Sequence, residues 1–230
     1  MPRSSWYSSP MSTIDDLFYR SASVEGEQQE IAAGAFVLRG FALSSDEQLL
    51  AAVKTVIASA PFRHLITPGG YRMSVAMTNC GPLGWVSDRT GYRYAMQDPL
   101  TGKNWPPLPE SFLKLARDAA AAAGYADFKP DACLINCYEP GAKLSLHQDK
   151  DELDLNAPIV SVSLGLPAVF LFGGEIRKQR PQRYPLYHGD VVVWGGPARL
   201  FYHGVATLAD GSHEKTGAQR INLTFRKVNK

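Results

Sequence analysis

The stretch Leu144-Ser145-Leu146-His147-Gln148-Asp149-Lys150-Asp151 places a histidine and a carboxylate two positions apart. In an extended strand, side chains at i and i+2 leave the same face, so His147 and Asp149 can direct their ligand atoms toward one cation. His203, within residues 200–204, is the best candidate for a third ligand. Neutral imidazole and carboxylate together suit Fe(II), Mn(II) or Zn(II).

A second H-x-D pattern, His188-Gly189-Asp190, shows that this spacing alone is a weak signal. We interpret the second copy as a turn that enters a strand at residues 191–194, because glycine and aspartate favour turns. With His203, the first copy supplies the facial triad that is typical of non-haem Fe(II) oxygenases. Structural zinc sites normally have four protein ligands, so three ligands favour catalysis over a non-catalytic nucleic-acid-binding module with a structural metal.

Composition sets broad limits on the 230-residue chain. The apolar fraction is 45%, and the formal net charge is +2, so any attraction to nucleic acid has to be local. Three cysteines are too few for a disulfide framework, and we expect them to be reduced in a cytoplasmic protein. No signal peptide is apparent and no apolar run reaches transmembrane length, so we expect no membrane partner.

Turn residues divide the later half of the chain into short strands, predicted at residues 132–139, 159–164, 169–172, 191–194 and 221–225. Before them, the pattern predicts a strand at 35–41, a helix opened by a Ser44–Glu47 capping box, a strand after the 68–70 turn, and a helix at 109–123. This order predicts a mainly β (α+β) sandwich or jelly roll. We expect a loosely ordered arm at residues 1–30 and one domain at 31–230.

Residues 61–105 are rich in glycine and in aromatic side chains. Two interpretations stand: a decorated loop that packs on the core, or a flexible lid whose Met77, Trp85 and Tyr92 stack on a flat substrate. The basic loop, residues 177–183, carries four positive charges. It is either a solvated hairpin or a phosphate-contacting patch.

Two predicted strands carry a polar face. One holds Asn136 and Tyr138, and the other holds Arg220, Asn222, Thr224 and Arg226 opposite an apolar face. The second face is either solvated, as is usual for arginine, or it lines a pocket. Inside a pocket the arginines would need an anion, such as a small dicarboxylate that spans Arg226 and the metal.

Several segments resemble the AlkB family of Fe(II)/2-oxoglutarate dioxygenases: residues 67–71 (TPGGY), 73–81 (MSVAMTNCG), 131–136 (DACLIN), 141–152 (GAKLSLHQDKDE), 189–196 (GDVVVWGG) and 222–226 (NLTFR). The resemblance covers about residues 32–227. It implies a double-stranded β-helix, or jelly-roll, core with N-terminal helices and a nucleotide-recognition lid at about 61–105.

The resemblance also implies a role for each site residue. The Fe(II) ligands would be His147, Asp149 and His203. The residues that bind 2-oxoglutarate would be Asn136, Tyr138, Arg220, Asn222 and Arg226, with Arg226 on the distal carboxylate. A damaged base would lie between Trp85 and His147, with Met77, Tyr92 and Asp151 nearby. Contacts around it would come from Thr67 and Tyr71, on the substrate backbone, and from Arg177, beside the base.

The implied activity is DNA repair by oxidative demethylation. The enzyme would hydroxylate the N-methyl groups of 1-methyladenine and 3-methylcytosine in single-stranded DNA and in RNA. Formaldehyde would be released, while 2-oxoglutarate and O2 become succinate and CO2. We expect a cytoplasmic monomer whose partners are alkylated single-stranded DNA and also double-stranded DNA and RNA. The alternative is a dioxygenase of the same fold that acts on proteins or small molecules.

Overall fold

A computed structural model describes residues 26–229. Its largest element is an eight-stranded antiparallel sheet. In spatial order, the strands are β1 (Gln28–Ala32), β2 (Ala35–Leu38), β12 (Val191–Trp194), β9 (Ile159–Gly165), β14 (Arg220–Arg226), β7 (Ala132–Tyr138), β4 (Arg72–Cys80) and β3 (Arg63–Ile66). The three strands at the centre are buried along their whole length, since both faces of the sheet are covered.

A four-stranded antiparallel sheet covers one face of this main sheet. Its strands, in spatial order, are β11 (Gln182–Leu186), β10 (Ala168–Phe172), β13 (His203–Val205) and β8 (Leu144–His147). Phe170 and Phe172 of the small sheet pack on Trp194 of the main sheet, with ring centroids 6.0 and 6.4 Å from it. The two sheets thus enclose a layer of side chains, as in a jelly roll.

Two helices, α1 (Asp46–Ser59) and α2 (Glu110–Ala122), cover the other face of the main sheet. Leu49, Val53 and Val56 are buried along one stripe of α1, while Phe112 of α2 meets Phe225 edge to face at 5.8 Å. Gly124 follows α2 with φ of +86°, a conformation that glycine adopts without strain. Among the described residues, no helix has the length and apolar character needed to cross a membrane.

A separate two-stranded hairpin stands beside the opening between the sheets. It consists of β5 (Gly84–Asp88) and β6 (Gly91–Ala95), and we call it the recognition hairpin. The part of the expected lid that precedes this hairpin is not separate from the core, because β3 and β4 are strands of the main sheet. Met77 in particular lies in β4 and is 3% exposed, so the interpretation of a flexible lid that carries Met77 is wrong.

Most strand predictions are confirmed to within one residue at each end. The five strands predicted after residue 130 all form, and the helix predicted at 109–123 spans Glu110–Ala122. The predicted strand at 35–41 is shorter and ends at Leu38. The capping box is wrong: a 3-10 turn at Leu43–Ser45 precedes α1, and the N-cap residue Ser45 makes no side-chain capping bond.

The N-terminal arm was expected at residues 1–30. Residues 1–25 lie outside the described part of the chain, so the prediction for them stands as a prediction. Gln28–Ala32, at the other end of the expected arm, form the edge strand β1 and pair with β2. The apolar Ile31 packs against the core cluster between the two sheets, which gives this segment a reason to be ordered.

Candidate active site

His147 and His203 lie side by side in the small sheet. His147 ends β8, His203 begins β13, and the two residues are directly paired across the antiparallel strands. Asp149 follows β8, and its carboxylate oxygens lie 3.6 Å from Nε2 of His147 and 3.7 Å from Nε2 of His203. The three ligand atoms all lie within 4.8 Å of one another, as a shared cation requires.

Hydrogen bonds orient both imidazoles. Nδ1 of His147 lies 2.9 Å from the carbonyl of Ser145, and Nδ1 of His203 lies 2.9 Å from the carbonyl of Phe201. A carbonyl oxygen only accepts, so each Nδ1 carries the hydrogen and each Nε2 keeps a free lone pair. Desolvation and the neighbouring His203 lower the pKa of His147 to about 4, although 34% of its side chain is exposed. His147 is therefore neutral at pH 7, the form that binds metals.

Arg226, at the end of β14, secures the charge of Asp149. Its Nε and Nη2 donate to Oδ2 of Asp149 at 2.9 and 2.7 Å. Burial opposes the negative charge, but Arg226 and the two imidazoles hold the pKa of Asp149 well below its usual range. The triad thus presents two imidazole nitrogens and one carboxylate, a donor set that fits Fe(II).

Polar side chains line the main sheet behind the triad. The apolar residues of β14 face the helices, so Arg220, Asn222, Thr224 and Arg226 face the small sheet and are at most 6% exposed. Asn136 donates to Asn222 at 3.2 Å, and Asn222 donates to Ser161 at 2.8 Å. Of the two interpretations of this strand, the solvated face is wrong, because all four polar side chains are buried.

Arg220 is the most incompletely bonded group in this pocket. It is 1% exposed, its Nη2 donates to Ser163 at 3.0 Å, and its guanidinium carbon lies 4.9 Å from the ring centre of Tyr138. Within the described residues, Nε and Nη1 of Arg220 and Oδ1 of Asn136 have no hydrogen-bond partner. Buried polar groups are normally paired, so two unmatched donors on a buried cation fit an anion such as a carboxylate.

The recognition hairpin is hydrogen-bonded to the loop that carries Asp149. Trp85 and Tyr92 stack with centroids 5.5 Å apart and planes 14° apart. Trp85 Nε1 donates to Oδ2 of Asp151 at 3.0 Å, and Tyr94 donates to Oε1 of Glu152 at 2.6 Å. Both carboxylates belong to the metal loop, residues 148–158 after β8. Hydrogen bonds therefore connect the hairpin that carries Trp85 and Tyr92 to the loop that contains Asp149.

The remaining predicted contacts lie at exposed edges. Thr67 and Tyr71 form the turn between β3 and β4, where the backbone N–H of Tyr71 donates to Oγ1 of Thr67 at 3.1 Å and the Tyr71 side chain is exposed. The basic loop, including Arg177, joins β10 to β11 and is exposed at all four basic residues. Phe172 pairs with both Gln182 and His203, so the end of the basic loop lies two strands, roughly 10 Å, from the His203 backbone.

Sequence reasoning did not single out Arg199, Glu152 and Tyr94. Arg199 is 3% exposed and Glu152 is 6% exposed, and Arg199 donates to Glu152 at 3.0 Å. Tyr94 donates to the other oxygen of Glu152. No local sequence pattern separates a buried arginine from an exposed one, since the difference depends on partners distant in the chain.

The fold and the site together define a 2-oxoglutarate-dependent Fe(II) dioxygenase, and residues 34–226 match the model of the 2OG-Fe(II) oxygenase superfamily. The chain is 63% identical over 201 residues to the alpha-ketoglutarate-dependent dioxygenase AlkB of Salmonella typhimurium, covering 87% of this chain and 93% of that protein. It is 60% identical over 215 residues to the protein of the same name from Escherichia coli, covering 94% and 98%. The chain belongs to the AlkB family of Fe(II)/2-oxoglutarate-dependent dioxygenases.

A solved structure supports the fold. The structure of OsALKBH1 superposes with a TM-score of 0.76 at 28% sequence identity, covering 87% of this chain and 100% of that chain. The predicted jelly-roll fold and the predicted dependence on Fe(II), 2-oxoglutarate and O2 are therefore confirmed.

Proposed function

We propose that this enzyme is a DNA repair demethylase that removes N-methyl groups from bases such as 1-methyladenine and 3-methylcytosine. The observation that carries the proposal is the stacked pair of Trp85 and Tyr92 on a hairpin that is hydrogen-bonded to the metal loop. An aromatic platform of this kind accepts the flat face of a nucleobase. Membership of the AlkB family supports the same substrate class.

His147, Asp149 and His203 would hold Fe(II). Bound Fe(II), with 2-oxoglutarate and O2, supplies the oxidising power that hydroxylates the N-methyl group, with succinate, CO2 and finally formaldehyde as co-products. The chain provides two imidazole ligands, an ionised carboxylate and buried polar side chains behind them. The incomplete bonding of Arg220 and Asn136 is the structural fit for 2-oxoglutarate.

The two arginines of β14 would have different roles. Arg226 already donates two hydrogen bonds to Asp149, so it lies at the metal end of the pocket. A 2-oxoglutarate whose keto end meets the metal has its distal carboxylate away from that end. We therefore assign the distal carboxylate to Arg220, with Tyr138 and Asn136 beside it, and not to Arg226 as the sequence resemblance implied. Asn222 would lie between the two arginines.

The substrate residues would act in three groups. Trp85 and His147 would enclose the damaged base, with Tyr92 and the buried Met77 behind them. Asp151, which accepts from Trp85, would also accept a hydrogen bond from the exocyclic amino group of adenine or cytosine. Backbone and flanking contacts would come from Thr67, Tyr71 and Arg177.

A target base has to leave the helical stack to reach a pocket between two sheets. Single strands make this step cheaper, and a methylated Watson–Crick edge pairs poorly, so single-stranded DNA and RNA would be preferred over duplex DNA. The metal triad is complete within one chain, so turnover would not require a second subunit. The buried thiols of Cys80, Cys133 and Cys137 suit a reducing cytoplasm.

The deciding experiment is mass spectrometry of an oligonucleotide that carries one 1-methyladenine, incubated with the enzyme, Fe(II), 2-oxoglutarate and ascorbate. We expect loss of one methylene mass from the methylated strand and no change in the unmethylated strand. Succinate formation without any change in the oligonucleotide would contradict the proposal. That result would favour a dioxygenase of this fold with a protein or small-molecule substrate.

A further inference from the structure

One buried arginine contacts the metal loop with its whole guanidinium group. In Arg199, Nε donates to the carbonyl of Ala157 at 3.0 Å, Nη1 to the carbonyl of Asp149 at 2.6 Å, and Nη2 to Oε2 of Glu152 at 3.0 Å. Only 3% of the Arg199 side chain is exposed. The backbone of Asp149, a metal ligand, is therefore held directly by Arg199.

The backbone that follows Arg199 leads to the other metal strand. Gln148, which lies between His147 and Asp149, donates to the carbonyl of Leu200 at 2.5 Å. The carbonyl of the next residue, Phe201, is the one that orients His203. Side chain and backbone at residues 199–201 thus connect the two segments that carry the triad.

The contacts of Arg199 close into a ring of charges. Glu152 accepts from Arg199 through Oε2, while its Oε1 lies 3.4 Å from Nε of Arg226 and accepts from Tyr94 at 2.6 Å. Arg226 in turn donates to Asp149. The four charged side chains are at most 9% exposed, and two cations balance two anions. In so dry a setting, loss of one member leaves the others incompletely bonded.

We propose that Arg199 is a positioning residue for the metal centre, and that Glu152 and Tyr94 extend its influence to the recognition hairpin. Arg199 fixes the backbone of Asp149, and Glu152 couples that fixed loop to β6 through the Tyr94 hydroxyl. Groups outside the ligand shell typically contribute roughly 10–100-fold to metal affinity. The inference rests on the metal triad of the proposed function, but it makes no use of the substrate.

The test measures Mn(II) affinity, with unbound Mn(II) followed by its electron paramagnetic resonance signal and no nucleic acid present. Arg199→Lys keeps the charge but loses the planar fork, so we expect Mn(II) binding to weaken by about 10-fold or more. Tyr94→Phe removes only the hydroxyl that orients Glu152, and we expect a loss of Mn(II) affinity that is smaller than for Arg199→Lys but approaches about 10-fold.

Two matched controls come from the same chain. Arg39 is also a buried arginine with three hydrogen bonds, to the carbonyl of Pro185, to Asp190 and to Gln29, each at 2.8 Å. Tyr125 donates its hydroxyl to the carbonyl of Gly34, in the turn between β1 and β2, at 2.7 Å. Arg39→Lys should lower the melting temperature about as much as Arg199→Lys does, and Tyr125→Phe about as much as Tyr94→Phe. Both control variants should keep a Mn(II) affinity within about 2-fold of the parent protein.

The outcomes separate the possibilities. The positioning role would be overturned if Arg199→Lys binds Mn(II) as tightly as the parent protein does and melts at the same temperature as Arg39→Lys. If Arg199→Lys does not fold, the tyrosine pair decides, because equal affinities for Tyr94→Phe and Tyr125→Phe would overturn the proposal. Mn(II) binding that survives His203→Ala would instead overturn the triad itself, which is a different pattern of results.

Discussion

The two H-x-D segments have the same spacing and opposite uses. In His188-Gly189-Asp190, the histidine is fully bonded: Nδ1 accepts from the backbone of Gly165 at 2.9 Å, and Nε2 donates to Asp46 at 2.7 Å. Asp190 is 0% exposed and accepts from Arg39, Gly40 and Tyr187. In the first copy, Nδ1 of His147 is bonded to a carbonyl and Nε2 is directed toward the carboxylate of Asp149. The imidazole of His203 is arranged in the same way.

The difference shows that spacing alone does not make a metal site. What distinguishes the first copy is that the ligand atoms of His147 and Asp149 converge on one point together with a ligand atom of His203. The second copy directs the same groups into the protein, where each has a partner. The interpretation of the second copy as a turn that enters β12, with Gly189 and Asp190 as turn residues, is confirmed: the backbone N–H of Asp190 donates to the carbonyl of Tyr187 at 3.1 Å.

The strongest way to break this comparison is to remove the carboxylate of each copy. Asp149→Ala should abolish turnover and Mn(II) binding, by more than the roughly 100-fold that outer groups contribute, because it removes a metal ligand directly. Succinate release and Mn(II) titration measure the two losses, and circular dichroism checks that the variant is folded. Near-parental turnover in Asp149→Ala would show that the metal triad is misassigned.

Asp190→Asn is the matched change in the second copy. It leaves the buried Arg39 without its charge partner, so we expect a loss of roughly 3–5 kcal/mol in the free energy of unfolding. The Mn(II) affinity of the folded protein should be unchanged. Urea unfolding measures the free energy of unfolding. If Asp190→Asn lost Mn(II) binding but kept the stability of the parent protein, the second copy and not the first would carry the metal ligand.

Arg220 extends the same argument to the cofactor. If its two unmatched donors bind the distal carboxylate, Arg220→Met should raise the KM for 2-oxoglutarate by the equivalent of roughly 2–5 kcal/mol. Ser163→Ala is the control, because it removes the hydroxyl that accepts from Arg220 while keeping the guanidinium. Steady-state succinate formation measures both variants. An unchanged KM in Arg220→Met would place the distal carboxylate elsewhere.

The sequence predicted the strands better than it predicted their surroundings. Glycine and proline mark the strand ends, and the alternation in β14 correctly separates Ile221, Leu223 and Phe225 from the polar residues. Alternation is the same whether the polar face meets water or a second sheet, so burial of Arg220 and Arg226 required the tertiary structure. The three-residue β13 and the Pro-containing β11 are too short or too irregular for a periodic signal.

The site was predictable where one segment carries several ligands and unpredictable where distant residues meet. His147, Asp149 and Asp151 lie within five residues of sequence, and all are at the site. Arg199 lies 47 residues from Glu152 and Tyr94 lies 58 residues from it, so no spacing rule connects them. The hydrogen bonds between Arg226 and Asp149 span 77 residues of sequence, so no spacing rule predicts them either.

Replacing Trp85 tests whether base binding can be lost without loss of metal binding, and its expected effect is smaller. Trp85→Ala should weaken binding of a methylated oligonucleotide by roughly 1–3 kcal/mol, the contribution of one stacking platform. Mn(II) affinity should stay close to the parental value, because Trp85 contacts Asp151 and not the triad. Fluorescence anisotropy measures the binding. Loss of Mn(II) with an early melting transition would instead make Trp85 a core residue.

The basic loop gives the smallest expected effect. Net charge is only +2, so attraction to phosphate has to come from local clusters. All four basic residues of this loop are exposed, and the loop joins β11 to β10, which pairs with the strand β13 that carries His203. Neutralising Lys178, Arg180 and Arg183 together should weaken oligonucleotide binding at every sequence. Each lost phosphate contact should reduce the slope of log affinity against log salt by about 0.7 for single strands. Arg177 is kept, since its proposed place beside the base would mix two effects.

A free methylated nucleoside has no phosphates, so its turnover should be unchanged in the same variant. An unchanged slope would make this loop a solvated hairpin and move the phosphate path to Thr67, Tyr71 and Arg72.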